Sequence, residues 1–243
     1  MQIPIIFEDD SFLVIDKPAG VVVNKAESVK VETIQDWAEK KLKVKSEKLK
    51  VTEETDFYSR AGIVHRLDKD TSGLLIIAKN PQAFFTLQQQ FKERQIAKKY
   101  KTLVHGNVVP GEGEIKASVG RLPWNRERFG VLPGGREAMT FYKSLKSLKS
   151  PKGEILTLLE VTPHTGRTHQ IRIHLKYLGH PVVSDSFYAG RKTFRWDVKF
   201  CPRLFLHAQY LKFSHPVSDK VLEFDSKLPQ DLQDVLDTLL LLS

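Results

Sequence analysis

The chain has 243 residues, enough to bury a sizeable core in one large domain or two small ones, and 41% apolar composition with three Trp and fourteen Phe excludes a disordered chain. Thirty-eight Lys plus Arg against twenty-nine Asp plus Glu leave a formal charge of +9, which favours a polyanionic partner, nucleic acid before anionic membrane. Cys201 is the only cysteine, so an internal disulfide and a Cys-based zinc site are both excluded.

Glu8, Asp9, Asp10 and Asp16 interrupt the first apolar runs, which argues against a signal peptide, and the apolar run 239–242 is too short to span a bilayer. A cytoplasmic protein with no membrane partner is expected. In chain order, residues 3–7 and 12–15 read as short strands, and the turn Lys17-Pro-Ala-Gly20 leads to a third strand at 21–23. Ile34, Trp37, Ala38 and Leu42 fall at helical spacing behind Thr33, whose hydroxyl suits a cap. Lys40, Lys41, Lys43, Lys45, Lys48 and Lys50, followed by Glu53, Glu54 and Asp56, read as a mobile charged excursion. The run 74–78 is apolar at every position, the mark of a central strand covered on both faces. Asn80-Pro81 opens a helix with Phe84, Leu87 and Phe91 on one side and Gln89, Gln90 and Glu93 on the other.

Further strands are expected at 100–104, 138–142, 155–161, 204–213 and 221–224, with a hairpin end in the small repeat 144–150 and a closing helix at 232–241. Strands in runs with few helices argue for α+β, with a mixed, mostly antiparallel central sheet flanked by helices and loops. No linker rich in Pro, Gly or Ser divides the chain, so a single domain over residues 1–243 is expected.

Asp68 is the first candidate for chemistry. Its bland alternative is a turn aspartate, since Asp, Ser and Thr crowd turns for local hydrogen bonding. Here the carboxylate follows His65 and Arg66 and stands just before the buried-strand run, where it needs a partner to offset desolvation. Residues 165–179 come second. Ile171, Leu175 and Leu178 share one helical face, Gly179 supplies a left-handed stop, and His169, Arg172 and Lys176 share a neighbouring face. That basic stripe is either a solvated surface or a means of presenting Arg172 to a buried acid or to phosphate.

The third feature is the segment 121–136, a long loop carrying Arg121, Arg126, Arg128 and Arg136 around Trp124 and Phe129. Its ordinary reading is an exposed loop; in so basic a chain, cations interleaved with aromatics favour contact with RNA. A metal site from His65, His169, His174 and His180 is disfavoured, because His169 and His174, five apart, share neither a helix face nor a strand face. No P-loop and no G-x-G-x-x-G occurs, so nucleotide-cofactor chemistry has no support.

Together these motifs resemble the RluA-type RNA pseudouridine synthase family. The match runs through nearly the whole chain in the family's order: Lys17-Pro-Ala-Gly20, His65-Arg-Leu-Asp68 with Thr71-Ser-Gly73, and Lys99-Tyr100-Lys101 leading to Val104-His-Gly106. Arg167-Thr-His-Gln-Ile-Arg172 follows, with Gly179-His-Pro181 and Asp185, and then Leu206-His-Ala208. The resemblance implies the pseudouridine synthase fold with an RNA-binding cleft across its sheet. It also implies isomerisation of uridine in ribosomal or transfer RNA, without metal or cofactor.

By the same resemblance Asp68 is the essential carboxylate, attacking C1′ or assisting elimination through a glycal, and Arg172 is the guanidinium that keeps it ionised against burial. Tyr100 matches the residue that stacks on the target base and serves in proton transfer, and Arg66 matches one that enters the RNA helix where the uridine has left. His65, Arg167 and His169 join the four arginines of 121–136 as expected RNA contacts, with the Lys-rich stretch 40–50 as a second clamp to offset the few kcal/mol of base flipping. An S4-type RNA-binding module, which many relatives carry ahead of the catalytic domain, is not recognised, and a monomer is expected. Two alternatives differ in kind. A catalytically inactive RNA-binding or chaperone relative has no need of Asp68, Tyr100 and Arg172 together, and a metal-assisted hydrolase of nucleic acid is distinguished by inhibition with a chelator.

Overall fold

The computed structural model describes residues 1–43 and 55–241; Lys45, Lys48, Lys50, Glu53 and Glu54 of the charged excursion lie outside the described residues. The first elements in chain order are β1 (Ile5–Glu8), β2 (Phe12–Lys17), α1 (Ile34–Leu42), α2 (Thr55–Arg60), β3 (Ser72–Ala78), α3 (Pro81–Lys92) and β4 (Ala97–His105). Then come β5 (Glu112–Lys116), β6 (Val119–Leu122), β7 (Asn125–Val131), β8 (Met139–Lys149), β9 (Ile155–Pro163), α4 (Gln170–Tyr177) and α5 (Arg191–Asp197). The last are β10 (Leu206–Ser214), β11 (Val221–Asp225), α6 (Gln230–Thr238) and β12 (Leu240–Leu241). The class is α+β, as expected, and the chain forms two compact units, Met1–Ala97 with Tyr210–Ser226 and Lys98–Gln209 with the residues from Lys227 on.

In the first unit the strand order is β1-β2-β3-β10, with β11 on β10. β3 is buried at all of its positions and pairs antiparallel with β2, from Phe12 opposite Ala78 to Lys17 opposite Gly73. Helix α3 starts where Asn80 accepts the Ala83 N–H at 2.9 Å and Pro81 fills a position that needs no N–H. Its Phe84 and Leu87 pack on Phe12, Leu74, Ile76 and Phe213. Buried Gln90 of α3 bonds the Ser214 backbone through both ends of its amide, at 2.8 and 3.0 Å, so its burial leaves neither end unsatisfied.

The expected strand at 21–23 does not form. The carbonyls of Val22 and Val23 instead accept the N–H groups of Ile34 and Gln35 at 3.0 and 2.9 Å, satisfying donors that α1 cannot satisfy itself. Thr33 and Asp36 complete that end as a reciprocal capping box. Lys40 and Lys41 belong to α1 and are ion-paired with Glu32 and Glu8, so these two are part of the helix rather than of a loose excursion.

In the second unit the order is β10-β4-β9-β8-β12, and β5 pairs with the opening half of β8. Thr102 of β4 is fully buried and donates to the Phe205 carbonyl at 2.8 Å, while Leu103, Leu156 and Leu158 pack with Phe205, Leu232 and Val235. The repeat 144–150 forms the end of the β8–β9 hairpin, as expected: Lys149 pairs with Ile155 and the Ser150 N–H donates to the Glu154 carbonyl at 2.8 Å, while a register shift between Ser144 and Lys146 leaves Leu145 exposed and Leu148 buried. Two expectations need correction here. The closing helix stops at Thr238, and Leu240–Leu241 pairs with Lys149 and Leu148 as β12.

The second correction concerns 121–136, much of which is a two-stranded hairpin rather than a loop. β6 and β7 turn at Pro123 and Trp124, and Val119, Phe129 and Val131 pack with Ile173 and Tyr188. Its prolines and glycines sit in the turns, apart from Gly130, where a Cβ would lie 2.9 Å from the Leu122 side chain.

Candidate active site

Asp68 stands in the segment that leads into β3, half-buried between buried Leu67 and exposed Lys69; Arg66 is exposed too. Backbone contacts fix this segment at both ends. Upstream, Gly62 has φ +74 and its carbonyl accepts the Ala78 N–H at 2.8 Å. A Cβ at Gly62 would lie 2.0 Å from the Ala78 oxygen, so only glycine allows the approach. Downstream, the Thr71 N–H donates to the Asp68 carbonyl at 3.2 Å, and the Lys69 carbonyl accepts from the Gly20 N–H at 2.8 Å.

Lys17 reinforces that contact. Its side chain is fully buried, and Nζ donates to the carbonyls of Pro18, Val21 and Lys69 at 2.8, 2.9 and 3.0 Å. An ammonium taken out of water is tolerated only with its donors satisfied, and here the satisfaction ties the turn after β2 to the residue next to Asp68. His65 is committed to the fold: its Nε2 accepts the Ile76 N–H at 2.9 Å and its ring lies 4.5 Å from that of Phe91.

Arg172 belongs to the second unit. It lies on α4, only 4% exposed, and its Nε and Nη2 donate to the two oxygens of Asp185, both at 2.8 Å. Asp185 is fully buried and also accepts the Phe187 and Tyr188 N–H groups at 2.9 and 3.0 Å. Four donors on one carboxylate fix the guanidinium's plane as well as its place. The rings of Phe187 and Tyr188 lie 5.5 and 5.2 Å from the guanidinium carbon, a cation–π arrangement.

The expected stripe of His169, Arg172 and Lys176 does not act as one face. α4 is buried at every position from Gln170 to Leu175, so Arg172 is inside while Lys176 is exposed. His169 precedes the helix in the left-handed region, φ 55, with Nδ1 2.9 Å from the Tyr188 hydroxyl. Arg167 Nε donates to the Glu137 carbonyl at 3.1 Å. Tyr100 is half-buried on β4, opposite Val161, and packs on the cluster that contains Val104, Val161 and Ile171.

On the hairpin, the Arg121 guanidinium lies 5.1 Å from the Phe129 ring, Arg128 lies 5.9 Å from Phe187, and Arg136 and Trp124 are exposed, Trp124 at 75%. The side chain of Arg126 lies outside the described residues.

One residue weighed above only as a metal ligand has a different part. His174 is fully buried on α4; its Nε2 lies 2.9 Å from the Ala117 carbonyl, which can only accept, so Nε2 carries the proton. Nδ1 therefore accepts from the Thr140 hydroxyl at 2.9 Å, and that hydroxyl accepts in turn from Gln170 Nε2 at 2.9 Å. Gln170 Oε1 takes the Thr165 hydroxyl and the Arg167 N–H, which leaves its amide fully bonded. Gln170 and His174, polar and spaced i and i+4 on α4, were the available signal for this network.

Burial pushes the His174 pKa below 6.5, against the smaller opposing pull of the Ala117 carbonyl. A histidine depressed in the folded state contributes stability that is complete above its unfolded pKa and is lost as pH falls. Urea unfolding is expected to show stability declining as pH falls through and below the ordinary histidine range, and His174→Gln to flatten that part of the profile. An identical decline in the variant would contradict the assignment.

Residues 11–177, a span that holds Asp68, Tyr100 and Arg172, match the family described as RNA pseudouridylate synthase. The chain belongs to that family. As an RNA pseudouridine synthase it is an isomerase acting on RNA. It is 39% identical to an uncharacterized RNA pseudouridine synthase of Chlorobaculum parvum, over 98% of this chain and 74% of that one. It is 38% identical to the ribosomal large subunit pseudouridine synthase D of Nitrosomonas europaea, over 98% of this chain and 66% of the relative. Among solved structures, human RNA pseudouridylate synthase domain containing 1 superposes with a TM-score of 0.73 at 25% identity, covering 100% of this chain and 89% of that one.

For the synthase, Lys17 and Asp185 are the residues whose parts the sequence left unassigned, although both stand in its motifs. Phe187 and Tyr188 were not singled out at all. Among the described residues no group of three His, Cys, Asp or Glu is placed to hold a metal ion.

Proposed function

We propose that this synthase isomerises uridines of large-subunit ribosomal RNA, with Asp68 as the catalytic carboxylate, Arg172 as its counter-charge and Tyr100 as the platform for the target base. The observation that carries the RNA class is the likeness, over 98% of the chain, to a relative named for the large ribosomal subunit. Support for the roles comes from the segment around Asp68, held by backbone contacts, and from the guanidinium of Arg172, fixed by Asp185.

The reaction needs no co-reactant. The N1–C1′ bond breaks, uracil turns, a C5–C1′ bond forms, the proton leaves C5 and N1 ends protonated. Whether Asp68 bonds to C1′ or removes a proton to give a glycal, the carboxylate acts ionised, the form that a guanidinium in the role proposed for Arg172 favours.

The RNA grip is assigned to exposed Arg66, to Arg121, Arg126, Arg128 and Arg136 of the hairpin segment, and to Arg167 and His169, with His65 shaping the loop beneath. The reaction is placed in the cytoplasm, on a monomer whose residues 1–243 serve as the catalytic domain. Among the described residues no helix is long and apolar enough to cross a membrane.

The test is incubation of the purified chain with transcripts of large-subunit ribosomal RNA and of transfer RNA, followed by carbodiimide labelling and primer extension. New stops in the ribosomal transcript are expected; stops confined to transfer RNA would overturn the substrate assignment.

A further inference from the structure

α5 and the turn between β8 and β9 carry a cluster of cations that the function above does not use. Arg191, Lys192, Arg195 and Lys199 are all exposed, and none makes an ion pair among the described residues. Arg191 and Arg195 are one helical turn apart, and Lys199 follows in the turn that extends α5, where its N–H donates to the Trp196 carbonyl at 3.0 Å. The acid of this stretch, Asp197, is turned inward: it is fully buried, and one of its oxygens lies 2.9 Å from both His105 Nε2 and the Ser184 N–H. The β8–β9 turn adds another cation. Lys152 Nζ sits 3.7 Å from the centre of the Trp196 ring, with Lys199 Nζ 5.1 Å from the same ring.

Unpaired like charges repel one another, so gathering them on one face lowers stability unless a polyanion occupies it. The indole draws two ammonium groups to one place, which adds to the concentration of charge. Lysine is depleted at protein–protein interfaces, whereas surfaces that follow a phosphate backbone are built from Lys and Arg.

We propose that α5 with the β8–β9 turn is an additional RNA-binding surface that takes the phosphate backbone without reading sequence. The inference rests on the reading of the chain as an enzyme of RNA, and extends it to a face outside the hairpin.

The test compares R191Q/R195Q/K199Q with K30Q/K92Q/K220Q, which removes the same formal charge from exposed lysines elsewhere. The probe is a synthetic stem–loop RNA with a uridine-rich loop, and affinity is followed against salt. Three lost phosphate contacts are expected to reduce the slope of log K on log salt by about 2 to 3, and to weaken binding at low salt by at least about tenfold. The control is expected to keep the wild-type slope. An unchanged slope in the α5 variant, or an equal loss in both, would overturn the proposal, and an acidic protein would become the partner to seek. Absence of RNA binding by the wild-type chain would overturn the functional reading as well, so the two failures are distinguishable.

Discussion

Replacing Asp68 by alanine or asparagine is expected to lower the rate of pseudouridine formation by roughly 10³-fold or more, the range for removal of a group that works directly on the reacting bond. Affinity for RNA is expected to stay within about threefold of wild type, since a single carboxylate is not what neutralises phosphate. Asp68→Asn, which keeps a polar side chain of the same size, is expected to unfold near the wild-type urea midpoint. The backbone of Gly62, Lys69 and Thr71 and the Lys17 ammonium hold the segment. Lost activity with retained binding and stability therefore isolates chemistry from folding. Parallel loss of all three would make Asp68 a structural residue.

The second large effect concerns Arg172 of α4 and its buried partner Asp185. Asp185→Ala is expected to destabilise the protein by about 3–5 kcal/mol, the cost of withdrawing one partner from a buried ion pair. Four donors lose their acceptor at once: two from Arg172 and the N–H groups of Phe187 and Tyr188. Arg172→Ala is expected to be damaging in the same way and to lower turnover besides.

A double replacement separates the two effects. Arg172→Met with Asp185→Leu removes both charges together, so it is expected to recover much of the stability while activity stays lost. Urea unfolding and pseudouridine formation measured on the same preparations decide it. A double variant as unstable as Asp185→Ala would show that the backbone donors, rather than the ion pair, dominate. Wild-type turnover in that double variant would remove Arg172 from the mechanism.

Local signals carried much of the fold. Asn80-Pro81 and Thr33 start helices for reasons contained within a few residues, and 74–78 is apolar throughout because both faces of β3 are covered. Where partners are distant, the sequence said less. The 121–136 segment reads as a loop because its prolines and glycines look like breakers, whereas part of its apolar face is supplied by Ile173 and Tyr188. α5 has no apolar stripe to announce it, and is anchored instead through Asp197 to His105 and Ser184.

The candidate site divides in the same way. Asp68 and Arg172 stood out as charged residues beside apolar patterns, and the family's motifs gave them roles. Asp185 has no periodic relation to Arg172, and its buried bonding is a product of tertiary packing. Lys17 looked like a turn residue, because nothing in a local pattern says that an ammonium will reach the carbonyl next to Asp68.

The most direct measurement follows the hydrogen that isomerisation must expel. Ribosomal RNA transcribed with tritium at uridine C5 is incubated with the wild-type chain and with Asp68→Asn, and label released to water is counted. Release by the wild type, with none above background for a variant that still binds the RNA, is the predicted result. Equal release by both proteins, or none by the wild type, would contradict catalysis by the Asp68 carboxylate.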